Sequence, residues 1–96
     1  MDDRIGRIVY SKTGRDKGRM MVVLEVVNEQ QVMVADGDWR KIENPKIKNT
    51  KHLQWTKNKA EDIIKYRFQG KMPDNHIIRK SIKMIKDGGE GGLVDG

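Results

Sequence analysis

Lys12-Thr13-Gly14-Arg15-Asp16-Lys17-Gly18-Arg19 sets four cations and two glycines in eight residues, with Asp16 as the lone acid. Glycine reaches backbone angles that other residues avoid, so main-chain N–H groups can turn toward a ligand. Exposed amides beside long cationic side chains suit phosphate oxygens. A hairpin charged only for solubility has no need of so one-sided a sign, and anion binding is the favoured reading. A second basic cluster follows at Arg40, Lys41, Lys46, Lys48 and Lys51, opposed by Glu43. In a regular strand Lys41 and Glu43 would share one face, and Arg40 and Ile42 the other. Joined to the first cluster in one patch, these cations become candidate phosphate contacts.

Other chemistry is poorly supplied. The absence of cysteine removes disulfides, thiolate metal sites and Cys nucleophiles. His52 and His76 have no metal-ligand spacing. The loop only superficially resembles a nucleotide-binding P-loop. Three residues, not four, separate Gly14 from Gly18, and Arg19-Met20 stands where Lys-Ser/Thr is required. Ser11 and Ser81 lack a nucleophile-elbow context, and turn chemistry accounts for Asp36 and Asp38. No catalytic residue, metal or cofactor is expected. Trp39 and Trp55 could each stack on an unpaired base, for about 1–3 kcal/mol. In a chain with 5% aromatics, Trp39 is expected as a core plug, while Trp55 is open between core and surface.

The elements that must position these groups belong to a 96-residue chain, short enough for one domain. Apolar and charged residues each make up 35%, so the core must be small. The net charge is +6, but Asp87, Glu90 and Asp95 are the only charges after residue 86. Residues 1–86 therefore set 20 Lys and Arg against 11 Asp and Glu, a surplus of +9. A body this basic points to a polyanion, most often nucleic acid. No apolar run approaches the roughly 20 residues that span a bilayer. Met1-Asp2-Asp3-Arg4 leads into no long apolar stretch, unlike a signal peptide. With no cysteine, the expected compartment is the cytoplasm.

Hydrophobic patterning divides the chain in three. Up to residue 56 it is rich in β-branched residues cut by Gly, Asn and Asp. Strands are predicted over 5–11, 20–27, 31–35, 38–42 and 52–55, with turns at 28–30 and Asp36-Gly37 and a basic loop over 46–51. Five short strands with hairpin turns suggest a small closed or nearly closed barrel. Residues 57–86 switch to helical spacing. Asn58-Lys59-Ala60-Glu61 fits a capping box for a helix running to about Gln69, with Ile64 and Phe68 on one face. A second helix starts near Pro73-Asp74-Asn75. It carries Ile77, Ile78, Ile82, Met84 and Ile85 opposite Arg79, Lys80, Lys83 and Lys86. The pair is expected as a helical hairpin packed on the barrel. Residues 87–96, half of them glycine, are expected as a flexible acidic tail.

Gly6-Arg7-Ile8-Val9-Tyr10-Ser11-Lys12-Thr13-Gly14-Arg15-Asp16-Lys17-Gly18-Arg19 followed by Val22-Val23 resembles a KOW motif. Val34-Ala35-Asp36-Gly37, Arg40-Lys41-Ile42-Glu43-Asn44-Pro45-Lys46 and Lys51-His52-Leu53 are similar to one branch of that group. The branch comprises the archaeal and eukaryotic large-subunit ribosomal protein L-fourteen-e and small bacterial KOW-domain RNA-binding proteins. The resemblance covers residues 6–53, and the two helices look like those of the bacterial stand-alone relatives. It implies a five-stranded SH3-like barrel over 1–56 that binds RNA, typically ribosomal RNA. RNA contact is implied at Ser11, Lys12, Gly14, Arg15, Lys17 and Gly18, and more loosely at Arg40, Lys41, Lys46 and Lys48, while Asp16 would brace the loop; the charge clusters add Arg19 and Lys51 to the candidate RNA contacts.

The expected protein is a non-enzymatic RNA-binding monomer acting on structured or ribosomal RNA, and through it on the ribosome or another ribonucleoprotein. No membrane partner is expected. The alternative is a protein-interaction module of the transcription or translation machinery that uses the barrel and the helical hairpin, whose apolar stripe could dock a partner helix.

Overall fold

The computed structural model describes residues 1–88. The tail expected over 87–96 falls, from residue 89 onward, outside the described residues. Five strands, β1 (Arg7–Ser11), β2 (Met20–Asn28), β3 (Gln31–Ala35), β4 (Lys46–Asn49) and β5 (Leu53–Lys59), precede helices α1 (Glu61–Phe68) and α2 (Asn75–Lys86). A single 3-10 turn, Thr50–His52, links β4 to β5. The strands form one antiparallel sheet in the order β4-β3-β2-β1-β5. The protein is mostly β, with two helices added at the end. No helix is long and apolar enough to cross a membrane among the described residues.

The nearly continuous apolar run of β2 follows from burial on both faces of the sheet. Side chains alternate along a strand. Ile8, Met20, Val22 and Leu24 face a cluster completed by Ala35 of β3, by Ala60 and by Ile63, Ile78, Ile82 and Ile85 of the helices. Val9, Met21 and Val23 face the other cluster, with Val32, Val34, Leu53 and the flanking Val26 and Trp55. A central strand covered on both sides needs apolar residues at every position, and 20–24 supplies them.

Three expectations fail at element boundaries. Residues 38–42 are not a strand, because the Asp36 carboxylate accepts from Asp38 N (3.0 Å) and Arg40 N (2.7 Å). Asp36 N and Gly37 N both donate to the Arg40 carbonyl, so the chain curls into a tight turn before ladder pairing can begin. The fourth strand is instead β4, inside the stretch expected as a basic loop. Val32 pairs with Lys48 and Met33 with Ile47.

The capping box at Asn58 does not form. β5 runs on to Lys59, held by pairing with β1, by Thr56 Oγ1 donating to Ile8 O (2.7 Å), and by Ala60 N donating to Gly6 O (2.8 Å). Sheet pairing keeps Asn58 extended, and α1 starts at Glu61 behind an Ala60 cap with no side-chain bond. On α1 the buried residue is Ile63; Ile64 is half-buried and Phe68 is 78% exposed. α2 begins as expected, with Asp74 accepting from Ile77 N (2.9 Å). It buries Ile78, Ser81, Ile82 and Ile85, and leaves Met84 exposed.

Candidate nucleic-acid interface

The loop joining β1 to β2 has an inside and an outside. Inside, Asp16 is buried beneath the bend. The Ser11 hydroxyl donates to Asp16 Oδ1 (2.8 Å), with the Thr13 carbonyl at 2.9 Å. Lys48, on β4, brings its ammonium to 3.0 Å from the same carboxylate oxygen and 2.9 Å from Thr13 O. Burial pushes the Asp16 carboxyl up, but the hydrogen bonds from Ser11 and Lys48 and the lysine charge outweigh it and hold the carboxyl below its ordinary value. The one acid of the loop is thus neutralised from within. Gly14 (φ 83°) and Gly18 (φ 88°) take the left-handed angles that let so short a segment turn back on itself.

Outside, Lys12, Arg15 and Lys17 are exposed. Among the described residues they take part in no ion pair. Main-chain donors are fewer than expected. The N–H groups of Lys12, Lys17, Gly18 and Arg19 are consumed by the carbonyls of His52, Gly14, Ser11 and Asp16. Those of Thr13, Gly14 and Arg15, at the tip of the bend, have no partner in another residue of the described chain.

Two expected contact residues are corrected. Ser11, 2% exposed, and Lys48, 6% exposed, are turned inward as braces of the loop rather than outward from it. Arg19 is exposed but engaged, pairing with Asp36 Oδ2 at 3.6 Å and lying over the Trp39 ring, 4.7 Å from its centroid. In the second cluster, Lys41 and Lys51 are exposed and Lys46 is half-buried on β4. Arg40 is half-buried, and its Nη1 donates to Asn44 O at 3.4 Å. The alternation expected of residues 40–43 does not apply, since no strand runs there.

Trp39 is corrected as well. The expected core plug is 52% exposed. Trp55, left open by the sequence, packs half-buried against the second core cluster and donates from Nε1 to Thr50 O (3.1 Å).

Between the base of the loop and α2 lies a groove of about 830 Å³. Tyr10, Arg19, Asp38, Arg79, Lys83 and Lys86 are among the residues that line it. Its helical cations were legible as one face of α2, but nothing in the sequence brought that face beside the loop. Among the described residues no group of three or more His, Asp or Glu side chains is gathered for a metal ion. No family model and no curated protein matches the chain.

Proposed function

We propose that this protein is a non-enzymatic RNA-binding module of KOW type, acting on structured RNA, ribosomal RNA foremost, through the loop 12–19. The observation that carries the reading is the division of charge in that loop. Asp16 is turned inward and answered by Lys48, while Lys12, Arg15 and Lys17 stand outside with no acid paired to them among the described residues. An exposed cation held on a rigid bend is suited to a phosphate in a fixed shape, and A-form RNA is recognised mainly by shape and backbone.

An SH3-like barrel is the matching fold. Its support is the curl of the sheet: Lys48, on the edge strand β4, reaches the loop between β1 and β2, and Thr50 N donates to Gln30 O (2.8 Å). The 3-10 turn before the last strand fits the same reading. Against the alternative of a protein-docking stripe on α2 stands the packing of Ile78, Ile82 and Ile85 into the protein's own core.

With about four to six phosphates neutralised, log K for a structured RNA falls against log salt with a slope of roughly −3 to −5. The Lys12→Glu, Arg15→Glu, Lys17→Glu triple variant loses binding and keeps its circular dichroism spectrum. The matched Lys41→Glu, Lys51→Glu variant loses less. Salt-independent binding, or a triple variant of unchanged affinity, would overturn the reading.

A further inference from the structure

Helix α2 carries Arg79, Lys80, Lys83 and Lys86 and no acid between Asn75 and Lys86. All four cations are exposed, yet the fold divides them. Arg79, Lys83 and Lys86 line the groove of about 830 Å³ beside the loop, whereas Lys80 does not. The spacing i, i+4, i+7 puts the three in one row, about 10 Å long at the helical rise. Gly18 and Arg19, the last two residues of the loop 12–19, line the same groove from the loop side. Tyr10, partly exposed on β1, adds an aromatic surface to the lining. A groove with cations along it and an aromatic ring among them is the form that receives a single nucleic-acid strand.

We propose that this groove holds an unpaired stretch of RNA, its phosphates met by the row on α2, while the structured part of the same RNA is held by the loop. The inference rests on the RNA-binding reading, and adds to it a second surface and a preferred form of RNA. The groove's volume lies in the range of small-molecule sites, which suits a nucleotide or two of a strand and excludes a duplex. Four cations and three acids line it, so its sign is positive, and two of the acids are already answered. Asp36 is buried and bound to Arg19 and to two backbone amides. Asp87 pairs with Lys83 at 3.0 Å, but both side chains are more than half exposed. An exposed pair of this kind is worth little in water, and a phosphate can take over the ammonium. Arg79 Nη1 donates to Gly37 O, which holds that guanidinium at the groove. Asp38, exposed in the lining, is the acid that opposes a phosphate, against three cations from the helix. Lys80, on the same helix but outside the groove, is the internal reference for a lysine that is merely solvated.

The test uses one labelled RNA hairpin, either blunt or carrying a short unpaired extension at its 5′ or its 3′ end, read by fluorescence anisotropy across a salt series. Wild type binds one of the extended RNAs several-fold more tightly than the blunt one. Its salt slope on that RNA is steeper by about 1.4, from two further phosphates at roughly 0.7 each. The Lys83→Gln, Lys86→Gln variant binds the extended RNA no more tightly than the blunt one. The Lys71→Gln, Lys80→Gln variant loses the same charge from exposed positions outside the groove and keeps the preference. All four lysines are exposed and glutamine suits a helix, so both variants keep the wild-type circular dichroism spectrum. Three results overturn the groove and leave the loop reading intact: no gain by wild type on either extension, a gain that survives in Lys83→Gln, Lys86→Gln, or an equal loss in the two double variants. Failure of wild type to bind any of the RNAs overturns the RNA reading itself, and the groove with it.

Discussion

Residues 12–19 and 40–51 are both crowded with lysine and arginine, yet the fold treats them differently. In the first, the cations point out from a bend whose own acid is buried and neutralised. In the second, Lys48 is drawn into that same neutralisation, Arg40 is folded against Asn44, and Lys46 lies half-covered along an edge strand. A cation in a strand has its direction set by the alternation of the ladder. A cation in a short glycine-hinged loop is free of that constraint. The second segment therefore helps to build the site that the first presents.

The largest effect that would break this comparison is expected at Lys48. Replacing it by Met leaves the Asp16 carboxylate buried without its partner, which costs about 3–5 kcal/mol. The urea midpoint should fall accordingly, and the Asp16→Asn, Lys48→Met double variant should recover much of the loss. A Lys48→Met protein of wild-type stability would return Lys48 to the ordinary surface lysines.

A smaller effect separates two glycines. Gly37 has φ 78°, and a Cβ added there would lie 2.5 Å from the Asn75 carbonyl at the start of α2. Gly18 has φ 88° with nothing within 4 Å of such a Cβ. Both alanine variants carry the left-handed strain, of order 1–3 kcal/mol, but only Gly37→Ala must also push the turn away from the helix. Thermal melts should show Gly37→Ala as the less stable of the two. The reverse order would mean that the turn is not seated on α2.

The smallest effect is on pH dependence. The folded-state pKa of Asp16 lies below its ordinary 3.8. The stability it contributes is therefore complete above about pH 4 and lost as pH falls through the depressed value. Urea midpoints between pH 5 and 2 should decline more steeply for wild type than for Asp16→Asn, and parallel curves would show that this carboxylate is not held by Ser11 and Lys48.

Much of the fold was legible in periodicity. The 20–27 run, the 31–35 strand and the start of α2 stand close to where patterning puts them, because each is governed by local alternation or by its own cap. The misses have two causes. The capping box at Asn58 lost to a long-range arrangement, the pairing of β5 with β1, whereas the hairpin at Asp36-Gly37 lost to an equally local one, the Asp36 carboxylate gathering the amides of Asp38 and Arg40. At the site, the position of the basic loop was readable from sign and spacing, and the bracing role of Asp16 from the resemblance. Lys48 and Trp39 were not: composition says that a lysine belongs outside and a tryptophan inside, and only the curl of the sheet and the turn at 36–40 reverse both.

Lys48 and Asp16 stand 32 positions apart in the chain but act as one electrostatic unit. Relatives that keep this bend should hold the two charges together, or replace both by uncharged residues. Inheritance of one without the other would leave a buried ion unanswered. Co-variation between these columns, rather than the number of lysines in the loop, is the signature by which distant members of the same architecture can be told from chains that are merely basic.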